Sequence, residues 1–177
     1  MRIVAGSRKG HGIAAPKGVV TRPTGDRVRE SAFAIVGPIE GARVLDLFAG
    51  SGAMGLEALS RGAARCVFVE RDREACRVIE RNLEKLRLTG AVVLCLDVLR
   101  AAREEVARRH VYDLVLVDAP YDHWERYEAP LGATLGGLLA DDGLVVVETA
   151  AKVEPELPLD LVTSRRYGSA RITVFSR

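Results

Sequence analysis

The chain has 177 residues, of which 48% are hydrophobic and 28% charged, with a formal net charge of +2. This length fits one domain with a single core, and the composition excludes a disordered, collagen-like or disulfide-rich chain. No window approaches the roughly 18 apolar residues of a membrane span. Residues 1–6 hold too few apolar residues for a signal peptide. Because Cys66, Cys76 and Cys95 lack Cys-x-x-Cys spacing, we expect buried, reduced thiols in a cytoplasmic protein.

Basic residues are concentrated at the N-terminus. Residues 1–30 hold seven basic and two acidic residues, a net of +5, whereas the rest holds nineteen basic and twenty-two acidic ones, a net of −3. This asymmetry indicates an anionic partner, with chance clustering of solvated charges as the alternative. Residues 1–20 contain short β-like pieces around a glycine-rich loop and no Phe, Trp or Tyr. A small hairpin or a mobile arm that grips phosphates, without stacking on bases, is predicted there.

A helix is predicted within residues 23–36, because Thr24 or Asp26 can cap it and apolar residues recur at helical spacing as far as Gly37. From Arg43 onward, apolar runs alternate with amphipathic helical segments. Near-continuous apolar runs are typical of strands covered on both faces, so the alternation predicts a doubly wound α/β sheet with right-handed crossovers. The predicted strands span 43–48, 65–70, 91–96, 112–118 and 143–149, and the predicted helices span 53–61, 72–87, 98–109 and about 124–139.

The end of the chain departs from this alternation. Residues 159–167 and 170–175 form two β-like segments joined through Gly168 and Ser169, with no helix between them. They are predicted to pair as an antiparallel hairpin. A parallel sheet that ends in an antiparallel hairpin is unlike the classical dinucleotide-binding sheet.

The central motif is the stretch 44–55, V-L-D-L-F-A-G-S-G-A-M-G. An apolar strand ends in a glycine turn that opens directly into a helix. Gly50, Gly52 and Gly55 fit G-x-G-x-x-G, and Glu70 ends the next predicted strand. This pattern predicts a nucleotide-type cofactor at the carboxyl edge of a parallel sheet, and on these residues alone NAD stays open.

Two residues within the motif favour S-adenosylmethionine over NAD. Asp46 lies inside the strand, where a carboxylate would face the sulfonium or ammonium of that cofactor and would be a poor neighbour for a pyrophosphate. Phe48 precedes the turn and suits a cofactor that lies across the strand end, with no phosphate held at the helix terminus. Glu70 can accept from both ribose hydroxyls and Asp97 from the adenine amino group. The alternative for both carboxylates is a helix cap or a loop position.

A second motif, Asp118-Ala119-Pro120-Tyr121, begins at the last residue of the fourth predicted strand. An exocyclic base amine is a poor nucleophile, because its lone pair is delocalised into the ring. The Asp118 carboxylate and the Ala119 carbonyl can accept its hydrogens and aim the lone pair at a methyl donor, while Tyr121 stacks on the base. A base must leave its stack to enter such a pocket. The alternative is a structural turn with Asp118 as a cap.

These motifs occur in one order with T-R-P-T-G-D-R-V-R-E-S-A-F, L-E-A-L-S-R-G-A, F-V-E-R-D and R-Y-G-S-A-R-I-T-V-F. Over essentially its whole length the chain resembles the bacterial small-subunit ribosomal RNA guanine-N2 methyltransferases of the RsmD type. The glycine motif is generic to class I methyltransferases. The R-P-T-x-D-R-V-R-E stretch together with L-F-A-G-S-G-x-x-G-L-E-A-L-S-R-G-A is far more specific.

The resemblance implies a class I, Rossmann-like methyltransferase domain with a seven-stranded sheet, in which residues 1–22 form a basic arm or hairpin and residues 23–177 the catalytic core. It implies S-adenosylmethionine as donor and one guanine of 16S ribosomal RNA in an assembling small subunit as acceptor; we expect a monomer without a metal ion. The implied cofactor residues are Thr24, Asp46, Phe48, Gly50, Gly52, Glu70, Asp97 and Val98. The implied target-amine site is Asp118, Ala119, Pro120 and Tyr121, and the expected RNA contacts are Arg2, Arg8, Lys9, Arg22 and Arg27.

One position departs from the family pattern, Asp-Pro-Pro-Tyr, because Ala119 replaces the first proline. The backbone carbonyl survives this change, whereas the fixed φ is lost and an N–H is gained, so we expect slightly looser geometry and retained activity. Three other functions stay open. They are the same chemistry on an adenine N6 amine of RNA or DNA, an NAD-binding oxidoreductase, and an RNA-binding assembly factor without turnover.

Overall fold

The computed structural model describes residues 1–16, 25–120 and 124–177. Seven strands form one sheet in the order β3-β2-β1-β4-β5-β7-β6. Strands β1 to β5 are parallel, and β7 runs antiparallel between β5 and β6. The strands are β1 Arg43–Leu47, β2 Arg65–Glu70, β3 Ala91–Cys95, β4 Tyr112–Asp118, β5 Leu139–Ala150, β6 Asp160–Tyr167 and β7 Ala170–Ser176. The helices are α1 Gly25–Val36, α2 Ala53–Ser60, α3 Arg73–Leu86, α4 Val98–Ala107 and α5 Trp124–Leu138.

This topology confirms the predicted sheet and its antiparallel C-terminal hairpin. The chain winds outward from β1 through β2 to β3, then returns to place β4 on the other side of β1. The strand order therefore reverses between β1 and β4, and this reversal leaves a crevice at the carboxyl ends of both strands.

The core has two layers because helices cover both faces of the sheet. Residues alternate between the layers along each strand, as β1 shows: Val44 packs with the side chains of α1, α2 and α3, whereas Leu45 packs with those of α4 and α5. Both of these strand residues are completely buried. Strands with two covered faces need apolar residues at successive positions, which is why the sequence shows near-continuous apolar runs.

Residues 1–16 form a small hairpin that packs against the domain, and this is the first of the two predicted alternatives. Arg2 and Gly12 form an antiparallel bridge, and Ile3 is completely buried in the layer that contains α1 and α2. The N–H groups of Val4 and Ala5 donate to the Glu57 carboxylate of α2, each at 2.9 Å. These backbone donors and the buried Ile3 side chain anchor residues 1–16 to the domain.

Two further details differ from prediction. Strand β5 begins at Leu139, which pairs with Tyr112 before an irregularity in the register, so its start precedes the predicted one by four residues. Cys95 is exposed, although all three cysteines were expected to be buried, because it ends the edge strand β3. Within the described ranges, no helix has both the length and the apolar character that crossing a membrane requires.

Candidate cofactor and substrate site

A cleft of about 550 Å³ opens at the carboxyl ends of β1, β2, β4 and β5, beside the reversal of strand order. This is the size of a small-molecule site. The structure brings nine of the predicted site residues together along its walls. They are Asp46, Phe48, Gly50, Glu70, Asp97, Val98, Asp118, Ala119 and Pro120.

Asp46 lies deep in this cleft, with 1% of its surface exposed. Its Oδ2 accepts the Gly55 N–H of α2 at 2.9 Å. Burial raises the pKa of Asp46 from 3.8 to about 7; the hydrogen bond from Gly55 opposes this shift, and the negative charge of Glu70 adds to it. The carboxyl group is therefore only partly ionised at neutral pH, and a cation bound beside it would favour the charged form.

The turn after β1 has a backbone conformation that side chains rarely adopt. Phe48 has φ = 61°, in the left-handed region, which costs a non-glycine residue about 1 kcal/mol or more. Its ring packs edge-on against Tyr127 of α5, with the ring centroids 4.8 Å apart. Gly50 follows with φ = 54°. This strained turn carries both Phe48 and Gly50 into the wall of the cleft.

The other two glycines of the motif have packing roles outside the lining of the cleft. Gly52 is the left-handed N-cap of α2, and a Cβ there would lie 3.1 Å from Ile79. A Cβ at Gly55 would lie 2.3 Å from the Phe68 ring of β2. Gly52 was predicted to bind the cofactor, yet it faces α3 and is absent from the cleft wall. Both glycines allow α2 to approach its neighbours closely.

Glu70 joins the two loops that border the cleft. Its Oε2 accepts the Gly50 N–H at 2.9 Å, and its Oε1 accepts the Asp72 N–H at 2.8 Å. Each oxygen keeps a second lone-pair direction for a ligand. Asp97 lines the cleft and also caps α4, because its Oδ1 accepts from the N–H groups of Leu99 and Arg100.

The second motif lines the same cleft at the end of β4, the strand next to β1. Asp118 is exposed at the end of β4, Ala119 is buried, and Pro120 is exposed. Tyr121 lies outside the described residues, as do Thr24 and Arg22.

Tyr127, Glu148 and Arg29 are among the lining residues that the sequence analysis did not assign to the site. Tyr127 was indistinguishable from a core aromatic residue of a helix. Glu148 ends an apolar run in β5 and carried no motif. Arg29 of α1 is 3% exposed although it is charged; its guanidinium donates to the Arg2 carbonyl and to Asp26 and lies 3.5 Å from Glu57. Arg29 can be buried because these partners surround its charge. The periodicity of a helix in the sequence does not reveal them.

The residues predicted to contact RNA have different environments. The side chain of Arg2 is 70% exposed, and Lys9 and Arg27 are also exposed. Arg8 instead donates to the carbonyls of Leu86 and Arg87 at the end of α3, so its guanidinium has a structural role. No group of His, Cys, Asp and Glu among the described residues could hold a metal ion.

The chain matches the model of a family described as "Conserved hypothetical protein 95" over residues 1–176. It belongs to this family. "Putative rRNA methyltransferase YlbH" from Bacillus subtilis is 40% identical over 187 residues, which cover 100% of this chain and 99% of the relative. "Ribosomal RNA small subunit methyltransferase D" from Escherichia coli K12 is 36% identical over 159 residues, 89% of this chain and 78% of the relative. The predicted RsmD-type family is thereby confirmed.

Solved structures agree with the fold. "Putative methyltransferase yhhF" from Escherichia coli superposes with a TM-score of 0.83 at 34% identity, over 100% of this chain and 97% of that one. A putative methyltransferase complexed with SAH gives a TM-score of 0.72 at 16% identity, over 87% of this chain and 49% of that one. The class I methyltransferase fold that the sequence predicted is confirmed.

Proposed function

We propose that this protein transfers a methyl group from S-adenosylmethionine to the N2 amine of a guanine in small-subunit ribosomal RNA. The main support for this proposal is that the Asp118-Ala119-Pro120 turn lines the same cleft as Asp46 and Glu70. A donor held by the β1 and β2 ends and an amine held at the β4 end would therefore meet in one cavity. The names of the relatives support ribosomal RNA as the acceptor.

The charge of the cleft supports S-adenosylmethionine over NAD. Six of its lining residues are carboxylic acids and two, Arg29 and Arg71, are arginines. An excess of acids suits a ligand with a sulfonium and an ammonium group and opposes the pyrophosphate of a dinucleotide. When bound, this cofactor supplies a methyl group that is already activated by the sulfonium. The acids are Asp46, Glu70, Asp72, Asp97, Asp118 and Glu148.

The protein's contribution to the reaction is positioning at the β4 end. The Asp118 carboxylate and the Ala119 carbonyl accept the two hydrogens of the amine, which directs the nitrogen lone pair into the cleft. A carbon–nitrogen bond forms as the carbon–sulfur bond breaks, and Asp118 takes the proton that the nitrogen releases. Exposure of Asp118 at the rim leaves it accessible to a base that has left its stack.

The exposed basic residues beside the cleft suit the RNA that carries this base. Met1, Gly25 and Arg29 line the cleft. Arg2 follows Met1 in the chain, and Arg27 lies between Gly25 and Arg29 in α1. Phosphates on either side of the target nucleotide would meet these cations near the cleft mouth.

The test uses small-subunit particles from a strain that lacks the protein. We expect the purified protein to form N2-methylguanosine at one nucleotide, mapped by mass spectrometry. Asp118→Asn should lower the rate about 100-fold or more, while calorimetry shows unchanged binding of S-adenosylmethionine. Asp142→Asn, at an exposed position of β5, is the matched control.

Each alternative predicts a different result. A wild-type rate for Asp118→Asn would overturn the assignment of that residue. Formation of N6-methyladenosine would replace guanine by adenine as the target. Tight binding of NAD without binding of S-adenosylmethionine would refute the cofactor. Binding of the cofactor and RNA without any transfer would indicate an assembly factor.

A further inference from the structure

Glu148 is a second carboxylate beside the Asp118 end of the cleft. It lies on β5 and pairs in register with Asp118 of β4. Register partners on neighbouring parallel strands are about 4.8 Å apart and direct their side chains to the same face of the sheet. Both residues line the cleft. The fold therefore sets two carboxylates side by side where the target base would enter.

The strand order separates Glu148 from the cofactor residues. Asp46 and Glu70 lie on β1 and β2, on one side of the strand reversal, whereas Asp118 and Glu148 lie on β4 and β5, on the other. Three strand spacings, about 14 Å, separate the β2 and β5 positions. If the cofactor is held at the ends of β1 and β2, Glu148 lies where it would contact the acceptor base and not the cofactor.

Guanine and adenine differ at the atom next to their exocyclic amine. In guanine the N2 amine adjoins N1–H, a second donor, whereas in adenine the N6 amine adjoins an unprotonated N1, an acceptor. An ionised carboxylate only accepts hydrogen bonds. It therefore attracts the N1–H of guanine and repels the unprotonated N1 of adenine. Two adjacent carboxylates thus complement the guanine edge, because one can take the amine and the other N1–H.

We propose that Glu148 selects guanine by accepting the N1–H of the target base while Asp118 holds its N2 amine. This inference rests on the proposed function and explains a choice that the Asp118 motif leaves open, since that motif serves both kinds of amine. Glu148 is here a specificity-determining residue, and transfer to a base without N1–H should be strongly disfavoured.

The test replaces the target guanine, at the nucleotide mapped above, by 2-aminopurine, which keeps the 2-amine but has an acceptor at N1. We expect the wild-type kcat/KM to be about 100-fold or more higher for guanine than for 2-aminopurine. Glu148→Gln offers an amide N–H to the N1 acceptor, so this ratio should fall below about 10 and transfer to 2-aminopurine should rise. 2-Aminopurine also lacks the O6 of guanine. Because the wild-type protein and Glu148→Gln are compared on the same two substrates, the loss of O6 is common to both, and the change in the ratio reports the contact at N1. Glu125→Gln, exposed on α5, is the control and should keep the wild-type ratio.

The outcomes separate this inference from the proposed function. Unchanged discrimination in an active Glu148→Gln protein would overturn the role of Glu148 and leave the guanine methyltransferase intact. Equal wild-type kcat/KM values for both bases would overturn it as well, without any variant. No wild-type transfer to guanine-containing RNA would refute the proposed function itself. Calorimetry with S-adenosylmethionine confirms that each variant is folded.

Discussion

Ionisation of Asp46 is expected to control cofactor affinity below neutral pH. Burial raises its pKa to about 7, so the uncomplexed protein holds a proton there under mildly acidic conditions. A ligand with sulfonium and ammonium groups binds best to the ionised form. Binding must then release the proton, and the affinity falls as the pH is lowered.

The size of this effect follows from the pKa. With a pKa of about 7, roughly half of the Asp46 carboxyl groups are ionised at pH 7 and about one in a hundred at pH 5. If only the ionised form binds, the association constant is about 50-fold lower at pH 5, equivalent to about 2.3 kcal/mol. At pH 6 binding should release close to one proton for each cofactor bound.

Calorimetry with S-adenosylmethionine between pH 5 and pH 7 measures the association constant. Repeating it in buffers of different ionisation enthalpy gives the number of protons released on binding. Asp46→Asn keeps an oxygen for the Gly55 N–H but cannot ionise, so its affinity should be weaker at pH 7 and independent of pH. Asp113→Asn is the control, because Arg43 holds the pKa of that carboxyl below its ordinary value and outside this range. An affinity that is constant with pH in the wild-type protein would refute the argument.

The same pKa has a consequence for folding with a definite sign. A carboxyl group whose pKa rises on folding keeps its proton in the native state while the unfolded state loses it. Its contribution to the free energy of unfolding is on the order of 4 kcal/mol. This contribution is fully present below about pH 4 and is lost as the pH rises to about 7. In urea titrations, the free energy of unfolding of Asp46→Asn should therefore decline less between these pH values than that of the wild-type protein.

Three further changes test the packing and the charged surface. Gly55→Ala places a methyl group 2.3 Å from Phe68 and should lower the free energy of unfolding by about 1–3 kcal/mol in urea titrations. Glu57→Gln weakens the buried ion pairs to Arg29 and Arg61, so we expect a loss of about 3 kcal/mol and faster hydrogen exchange in residues 1–16. Replacing exposed Arg2 and Lys9 by glutamine should reduce the slope of log K for RNA against log salt by about 1.5.

Each of these changes has a matched control. Gly136→Ala lies in α5 with its nearest neighbour 4.0 Å away, so it should be neutral or stabilising; equal losses at both glycines would contradict close packing at Gly55. Glu84→Gln is exposed on α3 and should leave hydrogen exchange unchanged. Arg100→Gln with Arg103→Gln removes two exposed charges from α4; an equal change in salt slope would show that the N-terminal position does not matter.

The sequence determined the fold class and nine of the residues that line the cleft. Asp46, Glu70 and Asp97 each lie in or just after an apolar strand, and parallel strands bring their carboxyl ends to one edge. Local pattern and a general property of parallel sheets were therefore sufficient to predict that these residues share a cleft. The cap of α3 at Asp72, which accepts the Ala75 N–H at 2.8 Å, was predictable for the same local reason.

Only the tertiary structure decided the roles of residues whose partners are distant in the chain. Glu57 carries no signal in the sequence beyond its place in the predicted helix 53–61. It is completely buried because the backbone N–H groups of Val4 and Ala5, 52–53 residues away, donate to it. Arg29 is buried because that same carboxylate and the Arg2 carbonyl lie beside it. Glu148 reaches the cleft because β5 pairs with β4 in one register. Periodicity in a sequence reports how a residue faces its own helix or strand, whereas burial of a charge depends on partners that only the folded chain brings together.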